Sequence, residues 1–221
     1  MDDNIAPTES TVAAGNVPAA SLAVENQYRA AAYGLIAGLL RTAPDDDLLQ
    51  RVAQLSPKQQ GGDELALAMQ MLGLAARTST ADAVKTEFYH LFIGLGRGEL
   101  MPYASWYLTG FLMEKPLSLL RSDLVRLGFE RQGSVREPED HIAALCEVML
   151  MLITDHRGYE VEFGFFDTHI APWVDRFFTD LSVARSAVFY RNLGRFGAAF
   201  FELERRYFSI ELPVSAEREG L

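Results

Sequence analysis

Apolar residues recur at intervals of three and four along most of the chain, which is the spacing of one face of an α-helix. One such stripe predicts a helix over residues 185–208; its members are Phe189, Leu193, Phe196, Phe200, Leu203 and Tyr207. Another predicts a helix that begins at Pro138; its members are Ile142, Leu145, Cys146, Met149, Leu152 and Ile153. No stretch alternates between apolar and polar positions as a half-buried strand does, so the pattern predicts an all-α fold.

Capping residues and helix breakers divide this pattern into eight or nine helices. Besides the two helices above, the pattern predicts helices over residues 21–41, 45–55, 63–77, 80–93, 104–113, 116–127 and 165–181. Ser21 is the expected N-cap of the first helix, and Ser79 or Thr80 that of the fourth. Pro116 fits a first helical turn, and Gly128 fits the C-terminal end of the same helix.

The two ends of the chain differ from the rest. Residues 1–20 are rich in Ala, Pro, Ser, Thr and Asn without any periodicity, which predicts a disordered or loosely attached tail. A single helical-bundle domain is expected over residues 21–213, followed by a C-terminal tail over residues 214–221.

Composition narrows the possible partners. The 221 residues carry a net charge of −10 and one cysteine. An acidic chain is a poor partner for nucleic-acid phosphates, and no apolar run is long enough to span a bilayer. One cysteine cannot form an internal disulfide, and the N-terminus lacks the features of a secretory signal, so a cytoplasmic location is expected. Six of the ten net negative charges lie in residues 1–28 and 202–221, so a basic partner would have to be attracted by local acids.

One pair of residues has the spacing of a metal site. Glu87 and His90 lie three residues apart, and such pairs face the same side of a helix in di-iron bundles. A complete site needs a second pair and two further carboxylates, which the sequence does not offer, so we expect no metal and no cofactor. Cys146 lies on an apolar stripe and is expected to be buried. A metal-dependent helical enzyme centred on Glu87 and His90 stays open as an alternative.

Two other clusters of residues do not indicate any particular reaction. The first is aromatic: a helix end with Leu91 and Phe92, a glycine-rich loop, and a restart that contains Pro102, Tyr103, Ser105, Trp106 and Tyr107. Its aromatic residues are either binding anchors or part of the core. The second cluster is acidic and contains Glu137, Pro138, Glu139, Asp140 and His141. The helix dipole favours acidic residues at a helix start, so these acids can be explained without a binding role. The dipole does not explain the histidine.

Together these clusters resemble a known family. The segments Tyr89-x-Leu91-Phe92, Pro102-x-x-Ser105-x-Tyr107 and Glu137-Pro138-x-Asp140-His141 occur in this order, and the resemblance to the TorD/DmsD family of redox-enzyme maturation chaperones covers residues 28–205. The resemblance implies an all-α, non-enzymatic chaperone that binds the twin-arginine signal peptide and apoprotein of a molybdenum enzyme in the cytoplasm during cofactor insertion. It also implies a monomer or a domain-swapped homodimer. The stretch Gly-Leu-Gly-Arg-Gly-Glu-Leu before Met101 is similar to a subgroup associated with formate dehydrogenases.

The resemblance also implies which residues contact the peptide. Asp140, supported by Glu137 or Glu139, would pair with guanidinium groups of the leader, and His141 would assist it. The apolar part would be shaped by Leu91, Phe92, Pro102, Tyr103, Ser105, Trp106 and Tyr107. We expect Asp140→Ala and His141→Ala to weaken peptide binding without affecting stability. A protein–protein adaptor that does not read a signal peptide is a further alternative.

Overall fold

The computed structural model describes residues 19–55, 63–130 and 137–209, with side chains from residue 24 onward. This part of the chain is all-α, as predicted, with ten α-helices: α1 (Ala19–Arg41), α2 (Asp46–Ala53), α3 (Glu64–Thr78), α4 (Ala81–Phe88), α5 (Ala104–Thr109), α6 (Lys115–Leu127), α7 (Ile142–Thr154), α8 (Tyr159–His169), α9 (Val174–Val183) and α10 (Phe189–Ser209). A π-helical turn, Tyr89–Ile93, continues α4. Most of the predicted N-terminal tail, residues 56–62 between the second and third predicted helices, and the predicted C-terminal tail lie outside the described residues.

The core is built around α7 and α10. Helix α7 packs mainly on α1, and α10 packs on α9 and α3. Every member of the predicted α7 stripe is buried, including Cys146, which confirms that prediction. Large aromatic residues fill the space between the helices; those fully buried are Tyr33, Phe177, Phe178, Phe189, Tyr190, Phe200 and Phe201.

Several helix ends follow their local signals. The Thr80 side chain accepts a hydrogen bond from the backbone N–H of Ala83 and caps α4, as predicted. Gly128 ends α6 in the left-handed conformation with φ +83°, also as predicted. The predicted N-cap Ser21 is wrong, because α1 begins at Ala19.

Four predicted helix boundaries are wrong, and one of them is the start predicted at residue 185, since α10 begins at Phe189. The helix predicted over residues 165–181 is two helices, α8 and α9, with the turn that contains Pro172 between them. The helix predicted over 104–113 ends at Thr109, because Gly110 adopts a left-handed φ of +82°. The helix predicted to begin at Pro138 begins at Ile142, and residues 138–141 form a turn before it.

The end of α10 departs from its predicted stripe. Leu203 is exposed, whereas Glu204, one position further on, is fully buried. The Arg29 guanidinium explains this difference, since its Nε and Nη2 donate to the two carboxylate oxygens of Glu204 at 2.7 and 3.0 Å. Its Nη1 donates to Glu162 at 2.7 Å, and the Tyr33 hydroxyl donates to Glu204 at 2.9 Å. A buried ionic network thus joins α1, α8 and α10.

The π-helical turn and the glycine-rich loop after it place the aromatic cluster. Gly94 has a φ of +63°, and a Cβ there would lie 2.1 Å from the carbonyl oxygen of Arg97, so the turn requires glycine. The loop folds back on the turn, where the N–H of Leu100 donates to the carbonyl of Leu91 at 2.8 Å. This return brings Pro102 beside the π-helical turn. No helix of the described residues is long and apolar enough to cross a membrane.

Candidate functional site

The three sequence segments that form the family resemblance meet at one cavity, which we call cavity 1. Its volume is about 690 Å³. The π-helical turn, the start of α5 and the turn before α7 each contribute to its wall, together with α4 and the end of α1; the lining residues are Leu40, Arg41, Thr42, Ala43, Asp82, Lys85, Thr86, Phe88, Tyr89, Phe92, Ile93, Pro102, Tyr103, Glu137 and His141. Segments that lie far apart in the sequence therefore form one site.

A pair of backbone hydrogen bonds joins the second and third segments. The N–H of Ala104 donates to the carbonyl of Asp140 at 3.0 Å, and the N–H of Ile142 donates to the carbonyl of Pro102 at 2.9 Å. These bonds form an antiparallel bridge between Tyr103 and His141, whose rings meet edge to face at 5.1 Å. The Tyr103 hydroxyl donates to the Glu137 carboxylate, so the bridge fixes one wall of cavity 1.

The resemblance led us to expect Asp140 at a peptide-binding surface, but its side chain is buried. Its side chain is only 1% exposed, and Oδ2 accepts a hydrogen bond from the backbone N–H of Ser105 at 2.8 Å. Asp140 thereby caps the N-terminus of α5 from a distant part of the chain. Oδ1 of Asp140 and the hydroxyl of Ser105 are buried and have no hydrogen-bond partner among the described residues. The expectation that Asp140→Ala leaves stability unaffected does not fit this burial, because the substitution removes a helix cap.

His141 has a structural role that the sequence did not reveal. It is the N-cap of α7, and its Nδ1 accepts a hydrogen bond from the backbone N–H of Ala143 at 3.1 Å. An accepting Nδ1 has no proton, so this cap requires the neutral ring. Burial, assisted by the positive charge of Arg41, lowers the pKa of His141 to about 3. His141→Ala therefore also removes a cap, contrary to our expectation of unaffected stability.

This cap predicts a pH dependence of stability. Below an unfolded-state pKa of 6.5 the unfolded chain binds a proton that folded His141, with a pKa of about 3, does not, so stability falls as the pH falls through that range. Between pH 6.5 and pH 5 the loss from this residue is about 1.6 kcal/mol. His141→Asn keeps a capping acceptor without a titrating group, and urea denaturation should show a correspondingly smaller loss. Equal losses in the two proteins would contradict this assignment.

Ten of the eleven predicted site residues fall into three groups. Phe92, Pro102, Tyr103, Glu137 and His141 line cavity 1. Leu91, Ser105 and Asp140 are buried behind its wall. Trp106 and Tyr107 lie instead on a separate cavity of about 440 Å³, where Arg97 is above the Trp106 ring and the Tyr107 hydroxyl donates to Asp180 at 3.0 Å.

A larger groove adjoins cavity 1 between α6 and α7. Its volume is about 900 Å³, and it shares Arg41 and Glu137 with cavity 1. Its wall is mainly apolar; the larger apolar residues are Leu124, Val125, Phe129, Val148, Leu150 and Met151. Among the residues that the structure describes, its charged lining residues are four glutamates and two arginines: Glu130, Glu137, Glu139, Glu147, Arg41 and Arg121. We call this surface the α6/α7 groove; Glu139, a predicted site residue, lies in it.

Our sequence reasoning missed two residues of the α6/α7 groove. Arg41 and Glu147 form an ion pair, with Nε of Arg41 donating to Oε1 of Glu147 at 3.0 Å and Nη2 donating to Oε2. A signal for Glu147 was present, since it is the only charged residue of α7. A charge that interrupts an apolar helix in this way marks the side that faces solvent or a ligand.

The Glu87 side chain has a structural role as a helix cap. Its carboxylate accepts hydrogen bonds from the backbone N–H groups of Val188, Phe189 and Tyr190 at 2.7–3.0 Å, so it caps α10. His90 is exposed. In the part of the chain that the structure describes, no group of three or more His, Cys, Asp or Glu residues is placed to hold a metal ion.

Comparison with known proteins relates this geometry to a family. The profile described as nitrate reductase delta subunit matches residues 58–179. The chain is 23% identical to the chaperone protein TorD of Aliivibrio fischeri over 209 residues, which covers 84% of this chain and 97% of that protein. It is 26% identical to the chaperone protein TorD of Aliivibrio salmonicida over 150 residues, which covers 62% of this chain and 70% of that protein.

A solved structure agrees with the fold. The crystal structure of a protein assigned to redox enzyme maturation, from Archaeoglobus fulgidus, superposes with a TM-score of 0.53 and covers 88% of this chain and 99% of its own. The sequence identity of this pair is 18%, so the likeness concerns the fold alone. It confirms the predicted all-α architecture.

Proposed function

This chain belongs to the nitrate reductase delta subunit family and is a TorD-type redox-enzyme maturation chaperone, not an enzyme, and from this premise we propose that it binds the twin-arginine leader of a molybdoenzyme precursor. The observation that carries the proposal is the convergence of the three family-like segments on cavity 1. The apolar α6/α7 groove continues from cavity 1 through the shared residues Arg41 and Glu137.

The chemistry of such a leader matches these two surfaces. A twin-arginine leader offers two guanidinium groups followed by a moderately apolar stretch. Glu137 lies at the junction of cavity 1 and the α6/α7 groove, and Glu139 lies in the groove, where Arg121 donates to it at 2.9 Å. Carboxylates bind guanidinium groups in a planar, two-bonded geometry that lysine cannot reproduce, so they favour arginine. The apolar wall of the groove would take the apolar stretch.

The other predicted residues take two further roles in this proposal. Asp140 and Ser105 position the Tyr103–His141 bridge and thus the cavity wall, rather than touching the peptide. Phe92, Pro102 and the ring of Tyr103 supply apolar contact within cavity 1. Trp106 and Tyr107, on their separate cavity, would contact a more distant part of the leader or the apoprotein.

The biological setting of the proposal follows the family resemblance. The chaperone would hold the leader and apoprotein in the cytoplasm until the molybdenum cofactor is inserted and before export. Formate dehydrogenase is the first candidate client, because of the stretch from Gly94 to Leu100. Binding orders a flexible segment, so we propose a micromolar dissociation constant, about 8 kcal/mol, which permits release. The chaperone would act as a monomer or a domain-swapped homodimer.

Calorimetry with synthetic peptides tests this proposal. A peptide with an Arg-Arg pair followed by an apolar stretch should bind the full chain with micromolar affinity, and a Lys-Lys version should bind about tenfold more weakly. Glu137→Gln keeps an acceptor for the Tyr103 hydroxyl but removes the charge, and it should weaken binding of the Arg-Arg peptide about tenfold.

The matched control is Glu202→Gln, at an exposed position of α10 outside all the cavities described above. Its affinity for the Arg-Arg peptide should equal that of the unaltered chain. Absence of binding, or equal binding of the Arg-Arg and Lys-Lys peptides, would contradict the proposal. Equally tight binding of a mature client without its leader would favour the adaptor alternative instead.

A further inference from the structure

Arg41 lies at the boundary between cavity 1 and the α6/α7 groove and contributes to the wall of both. It is the last residue of α1, and its guanidinium reaches across to Glu147 of α7 with two hydrogen bonds. The carboxylate that faces the groove at this point is thus already bound to a guanidinium, but to one that the chain itself supplies.

The surroundings of Glu147 favour a guanidinium cation. The carboxyl end of α1 carries partial negative charge, and its last residues line cavity 1 beside the ion pair. The described residues that line the α6/α7 groove include four glutamates and two arginines, which together carry a net charge of −2. Without Arg41 these described residues would include four glutamates and one arginine, with a net charge of −3.

The ion pair of Arg41 and Glu147 is accessible enough to be exchanged. The Arg41 side chain is 29% exposed and that of Glu147 is 43% exposed, so water reaches both groups. Ion pairs this open contribute little to stability, because solvent screens the attraction. By contrast, the Arg29 pair with Glu204 is buried on both sides and has no comparable access.

We propose that Glu147 is a second guanidinium-binding position of the leader site, and that Arg41 occupies it until an arginine of the ligand takes its place. This inference rests on the proposed leader-binding function. Arg41 then acts as an internal competitor: it neutralises Glu147 in the empty chaperone and weakens binding of ligands that cannot replace it. A peptide with two adjacent arginines has one for Glu137 and one for Glu147.

The test is calorimetry on the full chain with the Arg-Arg and Lys-Lys peptides described above. Arg41→Met keeps most of the aliphatic side chain but removes the competing charge, and it should tighten binding of the Arg-Arg peptide about fivefold. Glu147→Gln should weaken binding of that peptide about fivefold. The double variant Arg41→Met, Glu147→Gln should not show the tighter binding that is expected of Arg41→Met alone. The Lys-Lys peptide should gain less from Arg41→Met than the Arg-Arg peptide.

The matched control is Arg206→Met, which removes the same charge from an exposed ion pair with Glu202 that lines none of the cavities described. It should leave the affinity unchanged. Unchanged or weaker binding by folded Arg41→Met, or an equal gain for the Lys-Lys peptide, would overturn the inference while leaving the proposed function intact. If Arg41→Met fails to fold, unchanged affinity of Glu147→Gln overturns the inference by itself. Failure of the unaltered chain to bind the Arg-Arg peptide would refute the proposed function as well.

Discussion

Replacement of Arg29 by alanine is expected to lower the free energy of unfolding by about 3–5 kcal/mol, because it leaves buried carboxylates without a counter-charge. The Arg29 side chain is 3% exposed, and those of its partners Glu162 and Glu204 are 5% and 0% exposed. Burial disfavours the Arg29 charge, but the hydrogen bonds and negative charges of Glu204 and Glu162 outweigh this and raise its pKa. The guanidinium also lies 4.0 Å from the centre of the Tyr207 ring.

Urea denaturation followed by circular dichroism measures this loss. Arg206→Ala is the matched control, since its partner Glu202 is exposed and such pairs contribute about 0–1 kcal/mol. Adding Glu204→Gln to Arg29→Ala should recover part of the loss, because it removes the buried charge that Arg29→Ala leaves behind. A loss for Arg29→Ala no larger than that for Arg206→Ala would show that the network does not hold the three helices together.

The regular part of the fold could be predicted from local signals. The apolar stripe of α7, the Thr80 cap and the Gly128 helix end each depend on residues within one or two turns of one another, and all three are confirmed. The exposed Leu203 shows where such signals fail. The stripe of α10 places Leu203 inside, but Arg29, 175 positions from Glu204 in the sequence, draws Glu204 into the core instead.

The candidate site could be predicted only in part. The order of the three family-like segments led us to expect a shared site, and residues of all three line cavity 1. The individual roles were not predictable, because Asp140 caps a helix that begins 36 positions earlier in the sequence, and His141 caps its own helix. An adjacent acid and histidine have the same sequence pattern whether they face a ligand or cap two helices.

For Glu87, a structural role and a role in a metal-dependent enzyme predict different effects of substitution on stability. Its carboxylate accepts three backbone hydrogen bonds at the start of α10, a helix that packs on both α3 and α9. Removal of a cap costs up to about 2 kcal/mol, and hydrogen bonds to a charged group contribute about 1.5–3 kcal/mol. Glu87→Ala should therefore lower the free energy of unfolding by about 2–3 kcal/mol.

His90→Ala is the control from the same three-residue motif, and because His90 is exposed its unfolding free energy should change by less than about 0.5 kcal/mol. Urea denaturation of both variants in the presence and absence of a chelator separates the two interpretations. If the pair held a metal, both substitutions and the chelator would destabilise the chain alike, since either ligand is needed for binding. A large effect of Glu87→Ala alone, unchanged by the chelator, is the result expected of a carboxylate that caps α10.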